Sequence, residues 1–379
     1  MKTKLKLAVV LLAVSTLNSQ LSTAHAQGSL TPPGAPAPTM KTLDQLEPRT
    51  PISAAPFTIS QPGSYYLTGN LTITSGDAIT IATNSVTLDL NGFTISSTAA
   101  SAAGCGILLS GSNPRDLTIL NGHITGGVTN NGSGVYSGSG FANGIYFSVN
   151  PPVNVLVSKV SVSGCLIYGI ALATVETSVV EGCTARTIGS YGIFASTVKS
   201  CGAAECGSYA IYGDQVSDCR GAATGGGIGI SASGTALNCY GYSTGGSGNG
   251  ISAATALNCH GYCVGNGYGL SAGTAQNCYG SATGNGIGLS ATTAQNCYGY
   301  ITGNGIALSA TTAQNCVGLS AGTSYGLLAD IASNCRGVSG TGVGLRFTQL
   351  GAMCYGSRTS PVAQNYVIGS GLAGPINLP

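Results

Sequence analysis

Charge is what this chain has least of. Its 379 residues include 13 Lys and Arg and 11 Asp and Glu, together 6%, against roughly 25% in an ordinary soluble domain. The formal net charge is +2, so no field pulls toward nucleic acid or an anionic membrane. Between Arg220 and Asp330 there is no Asp, Glu, Lys or Arg at all. Acid–base cleavage of a glycan needs carboxylates, or a base with cation-binding acids, and this stretch supplies neither. After the N-terminus no apolar run approaches the ~20 residues that span a bilayer.

The first 26 residues read as a signal peptide. Lys2, Lys4 and Lys6 precede the apolar "LAVVLLAVSTL", and Ala24-His25-Ala26 offers a small-residue cleavage site. The expectation is export, secreted or to the cell surface, with cleavage near Gln27 and no membrane span in the mature chain. Residues 27–56 form a Pro-rich N-terminal segment, extended and poorly packed. A repetitive body then runs from 57 to 358, irregular to residue 161 and regular from 162, and 359–379 is a C-terminal tail. In the irregular part Val86, Leu88 and Leu90 alternate with polar residues before Asn91-Gly92, and "LTILNGHIT" at 117–125 repeats the theme. The stretch between them, "SSTAASAAGCGILLSGSNPR", reads as a wide looped turn.

What the chain does have is 60 glycines, 43% hydrophobic residues and 14 cysteines, the last in rhythm. Cysteines fall at 165, 183, 201, 219, 239, 259, 278, 297, 316, 335 and 354, every 18 to 20 residues. Three places before stand Val162, Val180, Val198 and Val216, then alanine from Ala236 to Ala332. Two places after stand Ile167, Ala185 and Ala203, then an unbroken run from Gly221 to Gly356. The residue just before the cysteine is Gly164, Gly182, Ser200, Asp218, then Asn six times, all types that tolerate the left-handed backbone of a sharp bend. Columns that alternate with period two are strands. A further strand, "GIxL", is anchored by Ile170, Ile193, Ile211, Ile230, Ile251, Leu270, Leu289, Leu308, Leu327 and Leu345.

The fold expected is all-β: a right-handed, single-stranded parallel β-helix of about 13–14 coils, each with three short strands and three turns. The right hand follows from the preference of parallel crossovers. The motifs "TPPGAPAPTMKTLDQLEPRTPIS", "PGSYYLTGNL" and "VTLDLNGFTI" resemble the start of secreted right-handed β-helix proteins of planctomycete-type and verrucomicrobial bacteria. That resemblance implies the pectin-lyase-like fold and brings no defined activity with it.

Cysteines in an exported chain ordinarily pair, but stacked parallel side chains hold Cβ atoms further apart than a disulfide prefers. The column is therefore expected as buried free thiols, with bridges between neighbouring rungs as the alternative. Cys105, Cys206 and Cys263 lie off the column and are the better disulfide or exposed-thiol candidates. Nothing calls for a metal or a cofactor, since zinc-type histidines and paired CxxC spacings are lacking.

Two function classes remain. One is a non-catalytic surface or extracellular scaffold, either purely structural, with its tyrosines stacking on one another, or with weak adhesion to polysaccharide or cell-surface glycan along outward tyrosines: Tyr240, Tyr279 and Tyr298 with Tyr355 in one column, Tyr242, Tyr262 and Tyr300 in a second. The other is a polysaccharide lyase or glycoside hydrolase using Asp214, Asp218 and Arg220. The sequence lacks the "NTD", "GHG" and "RIK" motifs of polygalacturonases and the Arg-x-Pro-x-x-Arg of pectate lyases, which favours the first. Glu181 and Lys199, in one outward column, are expected to form a surface ion pair.

Overall fold

The computed structural model describes residues 48–111, 113–174, 177–359 and 366–368. The expected signal peptide and most of the expected Pro-rich segment fall outside these residues. The described residues from Arg49 onward form one compact unit. It is a right-handed parallel β-helix of about 16 turns, and among the described residues it has no α-helix and is built on a 33-stranded sheet with a separate two-stranded hairpin.

A regular coil has two strands rather than the three expected. Ile287–Gln295 is one nine-residue strand, Tyr298–Ile301 a short one, and Ile306–Gln314 opens the next coil. The "GIxL" strand and the strand before the cysteine are thus continuous. Pairing steps over Thr292, from Ala272↔Ala291 to Thr274↔Thr293, so the chain bends there without leaving the ladder. The expected anchors are in register, Ile170↔Ile193↔Ile211↔Ile230↔Ile251↔Leu270 and onward to Leu345. All are fully buried.

The coils begin earlier than expected. Thr50–Ile52 already pairs with Tyr65–Leu67. The stretch read as a looped turn contains Cys105–Leu109, whose Ile107 pairs with Ile79 and Ile145. The register of the first cysteine also differs. Cys165 pairs with Ile188, and Ile188 with Cys206, which is another column. Val162 stands beside Ala185, whereas Val180 stands beside Val157. Ile167 is 40% exposed. The residue next to Cys183 is Val160, whose N–H reaches the Cys183 sulfur at 3.4 Å. An eighteen-residue spacing therefore placed Cys165 on a column it does not share.

The corner between the strands explains why cysteine recurs. Asn238, Asn258, Asn277, Asn296, Asn315 and Asn334 all have φ of 52–54°, and this left-handed residue turns nearby backbone groups inward. The Cys278 sulfur is 3.5 Å from the Cys259 N–H and 3.3 Å from the Ala256 carbonyl, both on the preceding coil. A thiol is a small apolar group with one weak donor and a weak acceptor, so each coil's cysteine can serve both polar groups of its neighbour's corner. The same N–H-to-sulfur contact links Cys183 to Cys201, Cys201 to Cys219 and Cys316 to Cys335. Outside, the asparagines form a one-way chain. Each amide donates to the Oδ1 of the preceding coil at 2.8–3.2 Å, and the chain ends where Asn238 donates to Asp218 Oδ1 at 3.0 Å.

Among the described residues no disulfide forms, and thirteen of the fourteen cysteines are buried. Cys105, Cys206 and Cys263 are neither paired nor exposed, at 5%, 0% and 0%. Burial pushes the Cys105, Cys165 and Cys206 thiols up to about 12. In the column, thiol contacts from adjoining coils and then burial raise Cys183, Cys219, Cys278 and Cys316. Thiol hydrogen bonds pull Cys201 and Cys297 the other way. A neutral S–H is a weak donor, and the cost of burying a thiolate outweighs it.

Two core columns shrink along the chain. One runs Leu71, Ile95, Ile124, Val162, Ala185, Ala203 and then Gly221. The other runs Leu88, Ile119, Val157, Val180, Val198, Val216 and then Ala236. At Gly299 an added Cβ would run into the Ala307 carbonyl oxygen, so the later coils close around glycine because nothing larger fits.

Candidate functional site

The short strands carry the tyrosines that the sequence singles out. Their first outward column reads Arg220, Tyr240, His260, Tyr279, Tyr298, Val317, Arg336, Tyr355 in unbroken register. The Arg220 guanidinium lies 5.1 Å from the Tyr240 ring. His260 meets Tyr240 and Tyr279 edge-on at 5.0 and 4.4 Å, and Tyr279 stacks on Tyr298 at 5.2 Å with 7° between planes. These pairs match the favourable geometries of aromatic contacts. Burial against its neighbours lowers the His260 pKa, because it penalises the charged imidazolium. In the second column Tyr242 stacks on Tyr262 at 5.3 Å, but Ser281 separates Tyr262 from Tyr300.

The charged candidates are not assembled into one site. Asp214 accepts a hydrogen bond from Ser233 at 3.0 Å. Asp218 sits at a corner with φ 55° and ends the asparagine chain. Arg220 lies over Tyr240. Glu181 and Lys199 are adjacent in register, yet the salt bridges among the described residues are Arg49–Asp89 at 3.1 Å and Arg186–Glu205 at 3.2 Å. Thr187 and then Arg186 hydrogen-bond the Glu205 carboxylate and hold it below its usual range.

Sequence reasoning missed a larger aromatic group on the long strands. Tyr146 stacks on Phe147 at 5.3 Å and on Tyr168 at 5.4 Å. Tyr168 leads to Tyr191 at 5.6 Å and Tyr191 to Tyr209 at 4.9 Å. Phe194 and Tyr212 meet edge-on at 5.2 Å, and both touch Tyr191. The signal was present as Tyr168-Gly-Ile, Tyr191-Gly-Ile and Tyr209-Ala-Ile, two places ahead of the core isoleucines. A hairpin also escaped notice. Gly127–Asn130 pairs antiparallel with Tyr136–Ser139, and the Tyr136 hydroxyl donates to the Glu205 carbonyl at 2.8 Å while lying 2.6 Å from the Thr224 hydroxyl.

No family model and no curated protein matches the chain. Among solved structures, the A-module of mannuronan C-5 epimerase AlgE4 from Azotobacter vinelandii matches at 12% identity and a TM-score of 0.35, over 83% of this chain and 90% of that one. The enzymatically active domain of bacteriophage CBA120 tailspike protein 2 matches at 14% identity and a TM-score of 0.34, over 77% of this chain and 39% of the tailspike chain. The Geobacillus virus E2 ORF18 structure matches at 12% identity and a TM-score of 0.33, over 79% of this chain and 52% of that one. The fold assignment stands on strand register, independently of these likenesses.

Proposed function

We propose that this is an exported, non-catalytic β-helix that contacts polysaccharide through aromatic rings held in register on its short strands. The observation that carries the reading is a contrast. Tyr240, Tyr279 and Tyr298 stand on one outward column, whereas Asp214, Asp218 and Arg220 are each committed to a separate neighbour. Rings presented at rung spacing suit a polymer of repeating sugars, and each contributes a small, additive share. The signal-peptide pattern at 1–26 supports export, and among the described residues no helix is long and apolar enough to cross a membrane. The N-terminal motifs support kinship with the secreted bacterial β-helix proteins they resemble.

The test is a glycan array run beside assays for new reducing ends and for unsaturated products, on one preparation. Binding without turnover is expected. Tyr279→Ala with Tyr298→Ala should weaken binding to long chains more than to short ones. Turnover that disappears in Asp214→Asn or Asp218→Asn would establish the alternative, a polysaccharide lyase or glycoside hydrolase.

A further inference from the structure

The outward face of the long strands holds a second feature that spans more coils than the tyrosine strip. One column there reads Phe194, Tyr212, Ser231, Ser252, Ser271, Ser290, Ser309, Leu328, Arg346. At its beginning lies the seven-ring group of Tyr146, Phe147, Tyr168, Tyr191, Phe194, Tyr209 and Tyr212, every member half-buried. Five serines follow on five consecutive coils, each partly exposed. At the far end is a shallow depression of about 480 Å³, lined by Ser290, Ser309, Thr311, Asp330, Arg346 and Thr348 among others. Asp330 accepts from Thr348 there, and Arg346 donates to the Tyr325 hydroxyl at 2.7 Å.

Three properties of this face point to one kind of occupant. The hydroxyls of Tyr146, Tyr168, Tyr191, Tyr209 and Tyr212, and those of the five serines, have no protein partner among the described residues, while many other surface hydroxyls do. The column carries no charge from Tyr212 to Leu328, so nothing on it would repay the desolvation of an ionic polymer. Its polar groups recur at the rung spacing of roughly 4.8 Å, a periodic array that suits a periodic chain. A protein partner would instead be expected to meet an apolar core with a polar rim; here rings and hydroxyls lie in sequence along one line.

We infer that the long-strand face from Tyr146 to Arg346 binds a single extended, uncharged polysaccharide. The aromatic group stacks sugar rings and anchors the chain, the serines hydrogen-bond its hydroxyls along five coils, and the depression at Asp330 and Arg346 receives its end. This inference rests with the proposed function on the premise that the protein binds glycan; it differs in the face and adds that the ligand is uncharged.

The experiment measures binding of the full mature chain to soluble neutral glucan, mannan and xylan, with polygalacturonate as the anionic arm and a neutral hexasaccharide as the short arm. Thermal melting accompanies each variant. Tyr191→Leu with Tyr212→Leu should weaken binding to at least one neutral polymer by about tenfold or more, for long and short ligands alike. Ser271→Gln with Ser290→Gln, which fills the track without touching the core, should weaken polymer binding while leaving the hexasaccharide bound. That second pair keeps the test open if the tyrosine pair folds poorly. Neutral-polymer binding that survives both pairs and falls with Tyr279→Ala and Tyr298→Ala would overturn this inference and leave the short-strand reading standing. Preference for polygalacturonate would overturn it as well, and no binding by the unaltered protein to any polymer would overturn both readings.

Discussion

At the scale of single residues, the corner cysteine and the inward glycine make opposite demands on size, and both can be tested. If the thiol were only a small apolar filler, Cys278→Ala would be tolerated better than Cys278→Ser. The structure reverses that order, because the sulfur serves the Cys259 N–H and the Ala256 carbonyl. Leaving both unsatisfied costs about 1–3 kcal/mol for each group, so the serine variant should melt at the higher temperature. A higher melting temperature for the alanine variant would remove the hydrogen-bonding role. Gly299→Ala should destabilise by about 1–3 kcal/mol, the usual cost of overpacking, since the new Cβ meets a carbonyl of the next coil. Gln295→Glu keeps the oxygen that accepts from Gln276 and should change stability little. His260 adds a pH signature. Its folded pKa is depressed by burial, so the unfolded chain binds the proton more readily and stability falls as pH drops below about 6.5. His260→Gln should flatten that part of the melting-temperature profile just below about pH 6.5, while leaving intact any loss at more acidic pH where Glu205 takes up its proton.

At the scale of the element, the corner was legible in the sequence and the strand count was not. A residue able to hold φ near 53° before each cysteine leaves a mark in composition, because few residue types accept it. The join between the two halves of the long strand leaves none. The chain bends at Thr292 without a glycine or proline, and only the pairing shows that the ladder continues. The misplaced Cys165 has a similar cause, since spacing alone cannot distinguish a coil from a neighbouring column when two columns both use cysteine. The missed aromatic group follows from the same limit. Tyr168 follows the off-column Cys165 by three places while Tyr191 and Tyr209 follow Cys183 and Cys201 by eight, so counting from the cysteines never brought them into one line. The asparagine chain yields a prediction at this scale. Asn296→Ala and Asn296→Gly both break it, losing the bonds to Asn277 and Asn315. Only alanine also incurs the left-handed penalty of roughly 1–2 kcal/mol, so the glycine variant should be the more stable of the two by about that amount in chemical denaturation.

At the scale of the whole β-helix, the shrinking core columns set up a gradient. Each coil contacts mainly its two neighbours, so stability is close to a sum of coil terms and interface terms. Early coils contribute Ile95, Ile124 and Val162 at a position that later coils fill with Gly221, Gly241 and Gly261. They contribute Ile119, Val157 and Val180 where later coils have Ala236 and Ala256. A buried methylene is worth about 0.8 kcal/mol, so each early coil carries a larger apolar term than each late one. The late coils compensate in part through the asparagine chain and the close approach that glycine permits. Hydrogen bonds of that kind contribute only about 0.5–1.5 kcal/mol each, which does not offset the loss of several methylenes per coil. Native-state amide exchange should therefore open the β-helix from its C-terminal coils. Amides around Ala275–Tyr298 should exchange with a lower opening free energy than those around Ile119–Val162, and Gly299→Leu should widen that difference by disrupting the late coils while the early ones stay protected. Uniform protection from Ile107 to Leu327, lost in a single step in both proteins, would mean that the coils do not behave as separable units and that the narrowing of the core has no energetic consequence.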